Sequence, residues 1–330
     1  MSAEPASKKR KLKSADLHDN IFKAKQKGLW FDDGNIVIVA ENTPFLVHKS
    51  VLAAKSEIFH DTFSVPQPEN DESLNGIPIL RLHDTWTDVC KLLTFMYHCE
   101  RYLGRDKAID FSYIKSFLHL GTKYEVKTLR QEAIRRLRIR FPICQAKYVT
   151  YRDPRDEVIN ITPIDVLEVI TLARLHDLPD LLPTAFYECT QLLPSQTLQV
   201  LEKFKDPRST LSASDLTLII DGRPKLVQAD SIFLEGLKFK ADTNHCVTPD
   251  TCSQRITDTI SSLWEFIIEE AGGLVSKRFD VHRLFEPDAP CTHCFLSLKE
   301  DCKEHHREMW SKLGEIFGVE PWPMKATDLK

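Results

Sequence analysis

The first sharp hydrophobic signal in the chain is the run Ile36-Val37-Ile38-Val39, bounded by Asp33-Gly34-Asn35 and by Glu41-Asn42-Thr43-Pro44. A short, β-branched run between turn-forming residues predicts a buried strand. Pro44-Phe45-Leu46-Val47 predicts a second strand that pairs back as a hairpin. From there the period changes: His48, Leu52, Ser56, Phe59 and Phe63 follow at steps of three or four and so share one helix face, which must be buried. Upstream, Leu17, Ile21 and Phe22 also sit at helical spacing, before Leu29-Trp30-Phe31 enters the first strand.

Pro, Glu, Asn, Asp, Ser and Gly dominate between Ser64 and Ile77, which predicts an exposed loop. Pro78-Ile79-Leu80-Arg81-Leu82 reads as a strand, and Asp84 or Thr85 as the cap of a helix bearing Trp86, Val89, Leu93 and Met96 on one stripe. Two more amphipathic helices follow. One carries Phe111, Ile114, Phe117, Leu118 and Gly121; the other carries Val126, Leu129, Ala133, Ile134 and Leu137 and stops at Pro142. Residues 143–162 are polar and read as a linker. Beyond them the stripes are helical: Leu167, Ile170 and Leu175; Ala185, Cys189 and Leu192; and Ile256, Ile260, Leu263 and Ile267. Ser212 with Asp215 reads as a capping box opening a helix through Leu218 and Ile219. The expected fold class is α/β (α+β). A flexible basic tail and extension occupy 1–28, a small sheet covered by helices 29–142, the linker 143–162, and a mainly helical domain 163–330.

Composition narrows the partners. The 330 residues are 42% apolar and 28% charged, as in a globular protein, and a net charge of −4 gives no bulk drive toward nucleic acid. No segment approaches the roughly 20 apolar residues that cross a bilayer, so no membrane partner is expected. Lys8, Lys9, Arg10, Lys11 and Lys13 form a basic patch of the kind importins recognise, which points to the nucleus, or to nucleus and cytoplasm. A solvated tail with no reader fits the same composition. Arg130, Arg135, Arg136 and Arg138, beside Lys127, lack interleaved aromatics; they read as a solvated face, and no direct reading of nucleic acid is expected.

Nine cysteines, in a chain without an export-type apolar run, favour thiols or metal ligands over a disulfide framework. Cys291-Thr292-His293-Cys294 is a C-x2-C knuckle, whose short turn points two sulfurs at one metal. Cys246 and Cys252 supply a second pair, and the four together make a candidate tetrahedral, structural zinc site. Cys302 and His305, three apart on a predicted helix, are the reserve ligands, with His245, His293 and His306 as further donors. Reduced thiols, some buried as small hydrophobes, fit the same residues, Cys302 above all. Cys90, Cys99, Cys144 and Cys189 are isolated and read as core or incidental. No G-x-S-x-G, phosphate-binding loop, dinucleotide fingerprint or H-E-x-x-H occurs, so the chain is not expected to be an enzyme.

The order strand, turn, strand, His48-Lys49, Val51-Leu52-Ala53, Ser56, Phe59, Phe63 resembles the BTB/POZ domain. Leu120-Gly121-Thr122-Lys123-Tyr124, followed by Leu129-Arg130, resembles the late segment of that domain, so the likeness covers roughly residues 30 to 141. It implies an interaction module: His48 packed and hydrogen-bonded at a helix start, the N-terminal extension either packing a homodimer or closing the domain's own core, and the later helices serving as spacer or partner platform. Partners would be a second copy and other proteins, such as transcriptional corepressors or a cullin. The expected function is a self-associating scaffold in nuclear transcriptional regulation. The alternative is a substrate adaptor of a cullin-based ubiquitin ligase. Such adaptors carry an apolar residue two before a glutamate in the loop after the third helix; in Val65-Pro66-Gln67-Pro68-Glu69 here, Glu69 aligns and Gln67 departs. Asn35 likewise stands where the family usually has aspartate. The cysteine-bearing C-terminal segment and the closing residues Trp310, Leu313, Ile316-Phe317-Gly318 and Pro321-Trp322 resemble a group of BTB proteins found largely in mushroom-forming, basidiomycete-type fungi.

Overall fold

The computed structural model describes residues 27–65, 72–103, 107–150, 158–192, 211–237, 245–270, 289–320 and 322, without the side chains of 149–150 and 263–270. Outside them lie the basic patch Lys8 to Lys13, the extension residues Leu17, Ile21 and Phe22, the adaptor positions Gln67 and Glu69, and the side chains of Leu263 and Ile267. The chain divides into two units, Met1–Arg136 and Leu137–Lys330.

In the first unit, β1 (Ile36–Ala40), β2 (Thr43–Val47), β3 (Ser73–Leu74) and β4 (Ile77–Leu82) form one sheet in the order β2-β1-β4-β3. β1 runs antiparallel to β2 and parallel to β4, and all five of its residues are buried. A strand covered on both faces needs a continuous apolar run rather than alternation, which is why Ile36 to Val39 has no polar gaps. Pro44, opposite Val39, costs the ladder no donor it requires because β2 ends the sheet order. The expected exposed loop before Ile77 holds β3, joined to β4 through Asn75 and Gly76, both at positive φ (51° and 80°). This is the two-residue primed turn whose twist suits a hairpin.

The single helix expected from His48 to Phe63 is two: α1 (Lys49–Lys55) and α2 (Glu57–Ser64). Ser56 interrupts them in extended conformation, its Oγ accepting from Phe59 N and donating to Tyr124 O. The apolar phase continues across the break, so periodicity could not reveal it. Asn35 Oδ1 accepts from Lys49 N at 2.8 Å, satisfying an orphan donor at the start of α1. Thr85 caps α3 (Trp86–Tyr97) by accepting from Asp88 N, while Asp84 pairs with Lys123 and accepts from Tyr124 Oη. Burial and that carboxylate push the Tyr124 phenol far above its ordinary range. After β5 (Ile109–Asp110), α4 (Phe111–Lys123) and α5 (Lys127–Arg140) bury the expected stripes, and a Cβ on Gly121 would lie 2.9 Å from Arg130 N.

Arg136 is not on a solvated face. It is 1% exposed, bonded to Glu132 Oε1 and to the carbonyls of Tyr102 and Lys107. Arg138 and Arg140, which already belong to the second unit, pair with Asp180 and Glu188 of that same unit.

The second unit begins at Leu137, within α5, and takes in the expected linker. α6 (Gln145–Thr150) buries Tyr148 against Trp310 and Tyr187, and a short strand β6 (Ile159–Asn160) follows. Two aromatic partners distant in sequence order a stretch with no period of its own. α7 (Asp165–Leu175) buries Leu167 and Ile170, but Leu175, expected on the same stripe, is 64% exposed at the helix end. α8 (Leu182–Thr190) follows, and Ser212 with Asp215 opens α9 (Ala213–Leu237) through bonds from Asp215 N to Ser212 Oγ and from Ser212 Oγ to Asp215 Oδ2. α10 (Pro249–Glu270), α11 (Thr292–Ser311) and α12 (Leu313–Phe317) complete the described elements. α12 ends at Gly318 in the left-handed region, and Trp322 then returns to donate from Nε1 to Trp310 O.

Candidate metal centre

Each of α10 and α11 starts an apolar stripe with a cysteine. Cys252, Ile256 and Ile260 recur every four residues on α10, and Cys294, Leu298 and Cys302 do so on α11; all six are buried, with Leu234 and Leu237 of α9, in one cluster. Packing the stripes brings Cys252 and Cys294 together at the N-terminal ends of both helices. Cys246 arrives from the turn before α10, and Cys291 is the residue that precedes α11. The four sulfurs lie within 4.8 Å of one another, so the structure gathers the whole favoured ligand set.

Tetrahedral zinc with Zn–S bonds of about 2.3 Å has sulfur–sulfur edges of about 3.8 Å. Cys246 Sγ and Cys291 Sγ are 3.7 Å apart, so the arrangement fits such an ion with small adjustments. Polar hydrogens already converge on the sulfurs: Cys291 N donates to Cys252 Sγ at 3.2 Å, and Thr248 Oγ1 is 3.5 Å from the same atom. The backbone N–H of Cys294 bonds the Cys291 sulfur and, with the neighbouring thiols, pulls its pKa down to about 7. Burial pushes the Cys246 thiol up. Four thiolates around one point repel unless a cation joins them, and a d¹⁰ ion with thiolate affinity satisfies that donor set.

The reserve ligands lie elsewhere. Cys302 is a buried member of the apolar stripe, and His305 Nε2 pairs with Asp230 Oδ1 at 2.8 Å while its ring stacks on Phe233 at 4.0 Å. Among the described residues the sulfur cluster includes no histidine, although the rings of His245 and His293 meet at 5.0 Å. Of the isolated cysteines, Cys90 and Cys189 are buried, and Cys144 is exposed.

In the first unit, His48 is held as a structural residue. Its N–H donates to Tyr97 Oη, which is therefore free to donate to His48 Nδ1, and Nε2 faces Asp33 Oδ1 at 3.2 Å. Phe31 stacks on Tyr97 at 4.6 Å and closes the group. Nearby in sequence, a cleft of about 460 Å³ opens among Ala53, Ser56, His60, Phe95, Leu103 and Thr128, where Leu103 is half exposed.

Residues 26–138 match the family model of the BTB/POZ domain. The sheet with its helices is thus a BTB/POZ domain, and a mainly helical part with a four-cysteine cluster follows it. Domains of this family mediate self-association and binding to other proteins. No curated protein matches the chain. No helix among the described residues is long and apolar enough to cross a membrane.

Proposed function

We propose that the chain is an interaction scaffold that self-associates through its BTB/POZ domain and presents its helical second unit to partner proteins in nuclear transcriptional regulation. The observation that carries the reading is the BTB/POZ match over residues 26–138, on a fold whose histidine is engaged in packing rather than in a reaction centre. Cys246, Cys252, Cys291 and Cys294 hold a structural zinc ion, which fixes the ends of α10 and α11 against each other and so shapes the platform. The basic patch Lys8 to Lys13 serves nuclear import, and the closing residues Trp310 to Trp322 support kinship with the cysteine-bearing fungal BTB proteins.

Co-expression of two differently tagged full-length copies tests the core of this reading. Recovery of both copies in one complex, with corepressor-type proteins, is expected, and loss of nuclear accumulation is expected when residues 1–13 are removed. A protein that never captures its own second copy contradicts self-association. Retention of a cullin in place of corepressors would transfer the platform to the adaptor role.

A further inference from the structure

The four sulfurs are not equivalent. Cys252 and Cys294 are each 1% exposed and belong to the apolar cluster with Leu234, Ile256, Ile260 and Leu298. Cys246 and Cys291 are only partly buried, lie on the outer side of that cluster, and are the two whose sulfurs approach to 3.7 Å. A small oxidant therefore meets the outer pair first, and the first sulfur it oxidises has its resolving partner already beside it. Closing the pair to a disulfide of about 2.05 Å requires about 1.7 Å of approach, which rotation about χ1 of Cys246, placed in a turn rather than in a helix, can supply.

We propose that Cys246 and Cys291 form a peroxide-sensitive latch on the metal centre, an inference that rests on the zinc reading above. One thiolate attacks hydrogen peroxide, breaking its O–O bond and becoming a sulfenic acid as hydroxide leaves. The second thiolate attacks that sulfur, forms the S–S bond and expels hydroxide. With the two thiol protons counted, two thiols and one peroxide give one disulfide and two waters. The ion is left with Cys252 and Cys294 alone and departs, while the new bond ties the turn before α10 to the start of α11, the same two points the metal joins. The latch thus exchanges a metal clamp for a covalent one, and a thiol reductant with zinc reverses the exchange.

The test uses the full-length wild-type protein. Zinc is first measured per chain, before any oxidant and after incubation with excess zinc. Hydrogen peroxide is then titrated in while a chromogenic chelator reads released zinc, and the disulfide is mapped by peptide mass spectrometry. Release of about one zinc per peroxide consumed, with a Cys246–Cys291 linkage that dithiothreitol plus zinc reverses, is the expected result. Zinc that stays bound, or leaves only with a Cys252–Cys294 linkage or with sulfinic acids, overturns the latch and leaves the metal reading intact. Protein that binds no zinc in the first step overturns the metal reading itself, and the latch with it.

Discussion

Ser56 joins two helices and a third element through one hydroxyl: it caps α2 at Phe59 N and donates to the buried carbonyl of Tyr124. Ser56→Ala removes the cap and leaves that carbonyl unsatisfied, so a loss of about 1–3 kcal/mol in urea unfolding is expected. Arg136 is a second such residue. Arg136→Met removes one of the two arginines on Glu132 and strands two main-chain carbonyls. Because Arg135 still holds Glu132 through both oxygens, the cost should fall near the low end for a broken buried pair, about 3 kcal/mol. At the four-cysteine cluster, the Cys294 N–H lowers the Cys291 thiol to about 7, whereas burial raises Cys246. In metal-free protein, iodoacetamide should therefore modify Cys291 before Cys246, with a rate that climbs as pH rises through about 7 and the thiolate forms. Mass mapping of partially alkylated samples reads the order directly, and equal rates at both positions would contradict the assigned environment.

At the scale of elements, close helix packing rests on particular glycines. A Cβ at Gly222 of α9 would fall 2.3 Å from the ring of Phe317, itself fully buried and stacked on Phe186 at 5.3 Å. Gly222→Ala should cost about 1–3 kcal/mol by overpacking. Gly236, on the same helix, has open space around its Cβ position, so Gly236→Ala should leave thermal stability unchanged or raise it by up to about 1 kcal/mol. Elements with one buried face were legible in the sequence: the stripes of α3, α4 and α5 are buried where their spacing placed them, except Trp86 at the start of α3, which is only half-buried. What stayed hidden had non-local causes. Asn75-Gly76 is a strong turn signal, but the two-residue β3 beside it is too short to alternate. Arg136 looks like any charged helix residue until the carbonyls of Tyr102 and Lys107 reach it, and Tyr148 has no period because its partners are Tyr187 and Trp310. For the cysteines, C-x2-C spacing exposed one pair, and the i, i+4 stripes running on from Cys252 and Cys294 explain how the second pair meets it.

At the scale of the molecule, the second unit adds to a buried apolar core of its own a cluster of sulfurs. The BTB/POZ domain has a buried central strand and helices on well-filled stripes, whereas the start of α10 and of α11 converge on four sulfurs. Chelation should therefore loosen the second unit selectively. After treatment with a strong chelator, limited proteolysis is expected to cut between residues 237 and 292 while residues 27–136 persist; uniform resistance of both would contradict a structural metal. The proposed scaffold requires self-association and metal binding together, and native mass spectrometry of the full-length protein reads both in one spectrum. The account predicts a dominant species of two chains carrying two zinc ions. A dominant single chain with no metal would contradict it.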